Sequence, residues 1–294
     1  MKMDAVFVGM LIAVIGSGLP AVEAETMGQS PRSASPTTPQ PTCYDNSATG
    51  FLGPCGPSLQ LPPWATSAFT QPQYYATIQT GDIDGDGAAE LLGRGPAGLE
   101  VYKFSAAIGQ WQPLLDANSN YLVGAGLGQN GTSFFSDANG TTYWTSQPYY
   151  STIQTGDIDG DGADEILARS MLGIVVFKWD KTNQGWTQLA PPLAWFSDAG
   201  GWAAPQYYST IQTADIDGDG SVELLGRGAG GMAVFDWGSS GWNQLAGGGP
   251  FPDEVNSVPT GWDAPQYYST IQTADLDGNG TAELLARGGG GMQV

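Results

Sequence analysis

Four stretches of this chain place carboxylates at the spacing of metal ligands. Asp82, Asp84, Asp86 and Glu90 occupy positions 1, 3, 5 and 9 of a loop, and Asp157, Asp159, Asp161 and Glu165 repeat the pattern. Asp215, Asp217, Asp219 and Glu223 make a third copy; Asp275, Asp277, Asn279 and Glu283 make a fourth. The backbone carbonyl at position 7 (Ala88, Ala163, Ser221 and Thr281) is a further candidate oxygen. Calcium takes six to eight hard oxygen ligands in a flexible shell, which such a loop can offer. Glycines at positions 4 and 6 let the backbone turn tightly around an ion. Asn279 keeps the oxygen but drops a charge, so the fourth loop is expected to be the weaker site. The pattern predicts up to four Ca2+ ions.

Two other readings compete. An EF-hand needs a bidentate acid at position 12 and flanking helices. Position 12 is Gly93, Ala168, Gly226 or Ala286, and the flanks read as strands. A metal-free Asp-Gly hairpin turn would suit any one loop, but it gives no reason for the acids to keep their places in four.

Composition narrows the chemistry. The 294 residues carry 9 basic and 29 acidic side chains, a net charge of −20, and about half of the acids lie in the four loops. Without cations those loops repel themselves. Such a balance argues against nucleic acid and anionic membrane surfaces as partners. The chain has no histidine, which excludes Ser-His-Asp catalysis, Cys-His catalysis and His-ligated zinc. No constellation of an enzyme is present, so a catalytic role is not expected.

The loops belong to a longer repeat, Tyr-Tyr-x-Thr-Ile-Gln-Thr followed by the acidic loop, whose copies begin at Tyr74, Tyr149, Tyr207 and Tyr267. Fixed repetition of about 60 residues marks a repeat architecture, with about 15 extra residues between the first two copies. Residues 207–213 read as a β-branched, aromatic strand leading into the loop. Residues 223–227, 232–237 and 241–245 read as three more. Four short antiparallel strands per repeat describe a propeller blade. The fold class expected is therefore all-β, a β-propeller of four-stranded antiparallel blades with four repeats visible. Val294 falls within a third strand, which favours a truncated part of a larger propeller. A closed four-bladed ring, with residues 59–64 donating the missing outer strand, is the other reading.

Residues 1–24 read as a secretory signal: Lys2, an apolar run from Ala5 to Ile15, and small residues Val22 and Ala24 before a cleavage point. Residues 25–42 are a Ser/Thr/Pro-rich linker, and 43–63 a segment tied by a disulfide between Cys43 and Cys55. Residues 64–294 hold the repeats. Secretion is the expected localisation, with no membrane insertion after signal cleavage. Asn130 and Asn139 are glycosylation sequons by pattern.

Two further residue types recur. Eight of the 10 tryptophans keep a fixed place in the repeat, as with Trp144, Trp202 and Trp262 five residues before each Tyr pair. That regularity reads as packing between blades, with sugar stacking as the functional alternative. Arg94, Arg169, Arg227 and Arg287 each follow the loop glutamate by four residues. They read as members of structural ion pairs, or alternatively as fork donors to a sugar or carboxylate ligand.

The Asp-x-Asp-x-Asp-Gly-x-x-Glu loop set between two strands resembles the FG-GAP (VCBS-like) repeats of integrin α-subunit propellers and secreted microbial propellers. The similarity covers residues 72–294. The resemblance implies a propeller of seven or eight blades with calcium in the strand-connecting loops. Some fungal lectins with similar loops bind sugars, and related repeats accompany secreted hydrolases. The expected function is non-catalytic, lectin-like binding with glycans or glycoproteins as partners. A targeting propeller of a secreted hydrolase, or a protein-binding adhesion module, is the alternative.

Overall fold

Each repeat opens with one turn of helix where the sequence predicts a strand. In the computed structural model, which describes residues 70–140 and 143–294, these turns are α1 (Pro72–Tyr75), α2 (Gln147–Tyr150), α3 (Pro205–Tyr208) and α4 (Pro265–Tyr268). A proline at the first or second helical position sets φ for the turn at no cost in hydrogen bonds. The turn then closes through a threonine: Thr210 Oγ1 donates to the Tyr207 carbonyl at 2.7 Å. The same oxygen accepts from the Arg227 amide at 2.8 Å. Thr77, Thr152 and Thr270 repeat this bridge. The β-branched run therefore reaches its strand only at Gln212, because the threonine hydroxyl competes for the backbone before it.

The strands follow as expected. β1 (Gln79–Gly81), β2 (Glu90–Gly95), β3 (Gly98–Ser105) and β4 (Gln110–Pro113) form the first antiparallel sheet in that order. β5 (Gln154–Gly156), β6 (Glu165–Ser170), β7 (Gly173–Asp180) and β8 (Gly185–Gln188) form the second. β9 (Gln212–Ala214), β10 (Glu223–Gly228), β11 (Gly231–Gly238) and β12 (Gly241–Ala246) form the third. A small hairpin, β13 (Glu254–Val255) with β14 (Val258–Pro259), precedes the fourth sheet. That sheet has three strands, β15 (Gln272–Ala274), β16 (Glu283–Gly288) and β17 (Gly291–Gln293). The acidic loops join the first strand of each sheet to the second. Among the described residues no helix is long and apolar enough to cross a membrane.

The second and third sheets bury both faces, which explains why their second and third strands read as nearly continuous apolar runs, whereas β17 of the fourth is exposed. On β6, Ile166 and Ala168 face the first sheet while Leu167 faces the third. On β7, Val175 and Phe177 pack toward the first, Ile174 and Val176 toward the third. The period of two sends alternate side chains into two different cores. Trp144, Trp202 and Trp262 sit in the three successive cores at 0%, 3% and 8% exposure. Their register thus reflects packing between blades. Phe135, Phe196 and Phe251 meet them at 4.7, 4.4 and 4.3 Å between ring centroids.

First strands of neighbouring sheets touch: Gln79 Nε2 donates to the Ile153 carbonyl at 2.7 Å and Thr155 Oγ1 to that of Thr80 at 3.1 Å. The extra residues of the first repeat lie in its exit segment, which returns to β3 through a bridge between Glu100 and Leu122. Asn139 is 1% exposed there and donates to the Phe134 carbonyl at 2.6 Å, so this sequon is a packing residue. The signal-like stretch 1–24, the linker 25–42, the Cys43–Cys55 segment and the strand expected at 59–64 lie outside the described residues.

Candidate metal centre

Each loop is organised by its own acids. Asp82 accepts from the amides of Asp86 (3.0 Å) and Gly87 (2.8 Å), and Asp157 accepts from Asp161 (3.1 Å) and Gly162 (2.9 Å). Asp215 and Asp275 receive Gly220 and Gly280, each at 3.0 Å. The position-5 side chain accepts from the amide of position 7, as Asp86 does from Ala88, Asp161 from Ala163, Asp219 from Ser221, and Asn279 from Thr281. Position 9 closes the ring: Glu90, Glu165, Glu223 and Glu283 accept from the amides of Ile83, Ile158, Ile216 and Leu276 at 2.6–2.9 Å.

The glutamate of this ring keeps a second oxygen for something else. Oε1 of Glu90, Glu165 and Glu223 is buried and without a hydrogen-bond partner, as is Asp84 Oδ1. A buried carboxylate oxygen left unpaired is costly. In three loops carboxylates gather within 4.8 Å of one another: Asp82, Asp84 and Asp86 without Glu90; Asp157, Asp159 and Glu165; Asp215, Asp217 and Glu223. Burial pushes Glu90 and Glu223 above the usual carboxylate range and Glu165 up to about 7, with neighbouring aspartates adding to each. Hard, buried, mutually repelling oxygens suit a divalent cation. This donor set fits calcium, which would be held by the acids at positions 1, 3, 5 and 9 and would supply the missing positive charge.

Strand lysines also reach these acids, which the sequence reading did not foresee. Lys103 on β3 bonds Asp84 and Asp86 and lies 3.7 Å from Glu90 Oε1. Lys178 on β7 sits 2.6 Å from Asp159, 2.9 Å from Asp161 and 3.0 Å from Glu165. The last contact pairs Glu165 Oε1 with an ammonium, so of the three glutamates it is the one with a close cation. Burial works against the ammonium charge of both lysines, but the carboxylates outweigh it and hold both above the ordinary lysine range.

The repeated arginines belong to the scaffold. Arg94, Arg169 and Arg227 are fully buried and pair with Asp137, Asp198 and Asp253. Their Nε donates to the carbonyls of Phe135, Phe196 and Phe251 at 2.6–2.8 Å. Tyr74, Tyr149 and Tyr207 donate to the same aspartates and lie under the guanidinium planes. A Phe-x-Asp step in each exit segment thus latches onto the blade it has just left. Arg287 is exposed and stacks on Tyr267 at 5.7 Å.

One aromatic escapes this scaffold. Trp195 is 49% exposed and is the described tryptophan without a fixed place in the repeat, a signal already present in the sequence. It borders a cleft of about 490 Å³ shared with Ser197, Trp202, Tyr207 and the Gly228–Gly231 turn. No charged side chain lines that cleft.

Residues 157–226 match the FG-GAP-like repeat family. This stretch runs from the second acidic loop through the third, the unit that recurs along the chain. No curated protein sequence matches the chain. Among solved structures, similarity extends to an Agrocybe aegerita lectin that recognises non-reducing terminal N-acetylglucosamine. That match has 18% identity, a TM-score of 0.37, and covers 73% of this chain and 61% of the lectin. The pore of the Photorhabdus luminescens Tc holotoxin is similar at 17% identity and a TM-score of 0.40, over 75% of this chain and 8% of that one. The chain therefore spans less than two thirds of either neighbour's length.

Proposed function

We propose that this chain of FG-GAP-like repeats is a secreted, calcium-stapled binding module that takes an uncharged carbohydrate in the cleft beside Trp195. The exposed face of Trp195 carries the reading. A large aromatic ring is expensive to leave in water, and a sugar's CH face stacks on such a ring. The cleft has the volume of a small-ligand site. Its glycine-rich wall, Gly228 to Gly231, brings backbone donors and acceptors within reach of hydroxyl groups. On a chain of net charge −20, an uncharged lining favours neutral sugars over acidic ones. Calcium acts as a structural ion here, and the module binds without catalysis.

The test is a glycan array followed by calorimetry with the calcium-loaded chain and its Trp195→Ala variant. Binding of neutral glycans that falls at least about tenfold in the variant supports the reading. A blank array together with capture of a protein partner would favour the adhesion alternative. Binding unaffected by Trp195→Ala would place the site elsewhere.

A further inference from the structure

The three acidic clusters are not equivalent, and the difference lies one strand away. The residue directly across from the loop glutamate is Lys103 in the first sheet and Lys178 in the second, given the pairings of Leu91 with Tyr102 and Ile166 with Phe177. In the third sheet Leu224 pairs with Phe235, which puts Asp236 across from Glu223. Like charges directly opposed in an antiparallel pair are destabilising. The same register position thus delivers a positive charge to two loops and another negative one to the third.

The rest of the local charge follows this division. Lys181 donates to the Gly85 carbonyl at 3.2 Å, so all three lysines of the described residues reach the first two loops. None reaches the third. The third loop offers Asp215, Asp217, Asp219 and Glu223, with Asp236 opposite. The nearest basic side chain in sequence, Arg227, is already paired with Asp253. Glu223 is fully buried, and its Oε1 is the polar atom of this cluster left without a partner. In the fourth sheet, β17 ends at Gln293, short of this register position.

We infer that the first two loops carry their cation covalently, as the ammonium groups of Lys103 and Lys178, and that the third loop is the preferential divalent-cation site. This rests on the calcium reading given above and deepens it by assigning the ion among the loops. The ammonium of Lys178, within 3 Å of three carboxylates, already offsets part of their charge, and Lys103 does the same for Asp84 and Asp86. A calcium ion entering the second loop must first displace Lys178, which costs those contacts and brings two cations together. A calcium ion entering the third loop displaces no ammonium and meets the mutual repulsion of Asp215, Asp217 and Glu223.

Calcium binding to the full chain separates the possibilities, read by equilibrium dialysis and by melting with EDTA or calcium. Lys178→Met is expected to gain one tightly bound calcium per chain, with affinity at that loop rising at least about tenfold. Asp236→Lys is expected to lose one, to melt higher than the parent in EDTA, and to show a smaller rise on adding calcium. The second variant supplies a cation to a repelling cluster and so folds without calcium even where Lys178→Met does not. Equal calcium numbers in all three proteins, with calcium bound, would overturn this assignment while leaving the calcium reading intact. No calcium bound by any of them would overturn both.

Discussion

The amide of Val222 donates to the carbonyl of Asp157 across 2.8 Å, so the third acidic loop is tied to the first residue of the second. The same bond joins Asp164 to Asp82 at 2.7 Å and Ala282 to Asp215 at 2.6 Å. Each loop therefore holds its predecessor at the residue that organises it. An ion that orders one loop should steady the next through these bonds. Glu223→Gln removes a charged ligand from the third loop. In calcium it should speed hydrogen exchange of the 157–163 amides by about tenfold as well as that of its own loop. Exchange confined to residues 215–223 would show the loops to be independent.

The latch between exit segment and blade predicts a second, metal-independent loss. Asp198→Ala leaves the Arg169 guanidinium fully buried with carbonyls of Phe196 (2.8 Å) and Pro148 (3.3 Å) as its remaining partners. Breaking one side of a buried pair costs about 3 kcal/mol, and the partial exposure of Asp198 places this case at the lower end. Urea unfolding in EDTA and in calcium should give the same loss. A difference below about 0.5 kcal/mol would mean that water replaces the carboxylate at that site.

Two glycines should respond differently to the same change. Gly173 starts β7 at φ +125°, and a Cβ there would lie 2.0 Å from the Leu193 carbonyl oxygen, a backbone atom that cannot move aside. Gly162, at φ +85° in the second acidic loop, has open space where its Cβ would go. Gly162→Ala should cost about 1 kcal/mol for the left-handed backbone alone. Gly173→Ala should cost about 3 kcal/mol or more, because the exit segment must separate from the strand. Equal losses in thermal melts would remove the crossing backbone as the cause.

These examples also show what the sequence carried. The acidic loops, the second to fourth strands of the first three blades and the role of the periodic tryptophans were legible, because each repeats at fixed spacing. The helical turn at Pro205–Tyr208 was not: its β-branched, aromatic letters describe a strand until the Thr210 hydroxyl is seen closing the turn. Nor were Asp137, Asp198 and Asp253, which meet their arginines 43, 29 and 26 residues downstream. A partner at variable distance leaves no period to read. Lys103 and Lys178 sit at a fixed register position, but Asp236 breaks the pattern in the third copy. Trp195 was visible as the tryptophan that did not repeat, though its cleft emerges only when the exit segment folds back over the next blade.

Without calcium, stability should fall as pH rises, and the stabilisation that calcium adds should grow. Burial pushes Glu165 up to about 7 and raises Glu90 and Glu223. A carboxyl with a raised folded value stabilises the metal-free protein fully below its ordinary range, near 4.5, and loses that contribution as pH climbs through about 7. The metal-free melting temperature should thus fall by a few degrees between pH 6 and 8. Calcium binds the ionised form, so the rise it produces should grow over the same interval. A calcium effect equal at pH 6 and 8 would mean these glutamates are already ionised. At the alkaline end, Tyr149 and Tyr207 are raised to about 12 by burial and by their bonds to Asp198 and Asp253. Their stabilisation should fade between about pH 10 and 12.

Acidic loops that act as cation sites should hold the blades together only while the cation is bound. The most direct test is a thermal melt of the purified chain in EDTA with calcium then titrated back. Ligand at about a thousand times its dissociation constant stabilises by about 4 kcal/mol per site, a rise of roughly 10 °C for a domain of this size. A saturable increase of that order, reversed by renewed chelation, is expected. Identical melting in EDTA and in saturating calcium would contradict it and leave the carboxylates as turn-forming residues alone.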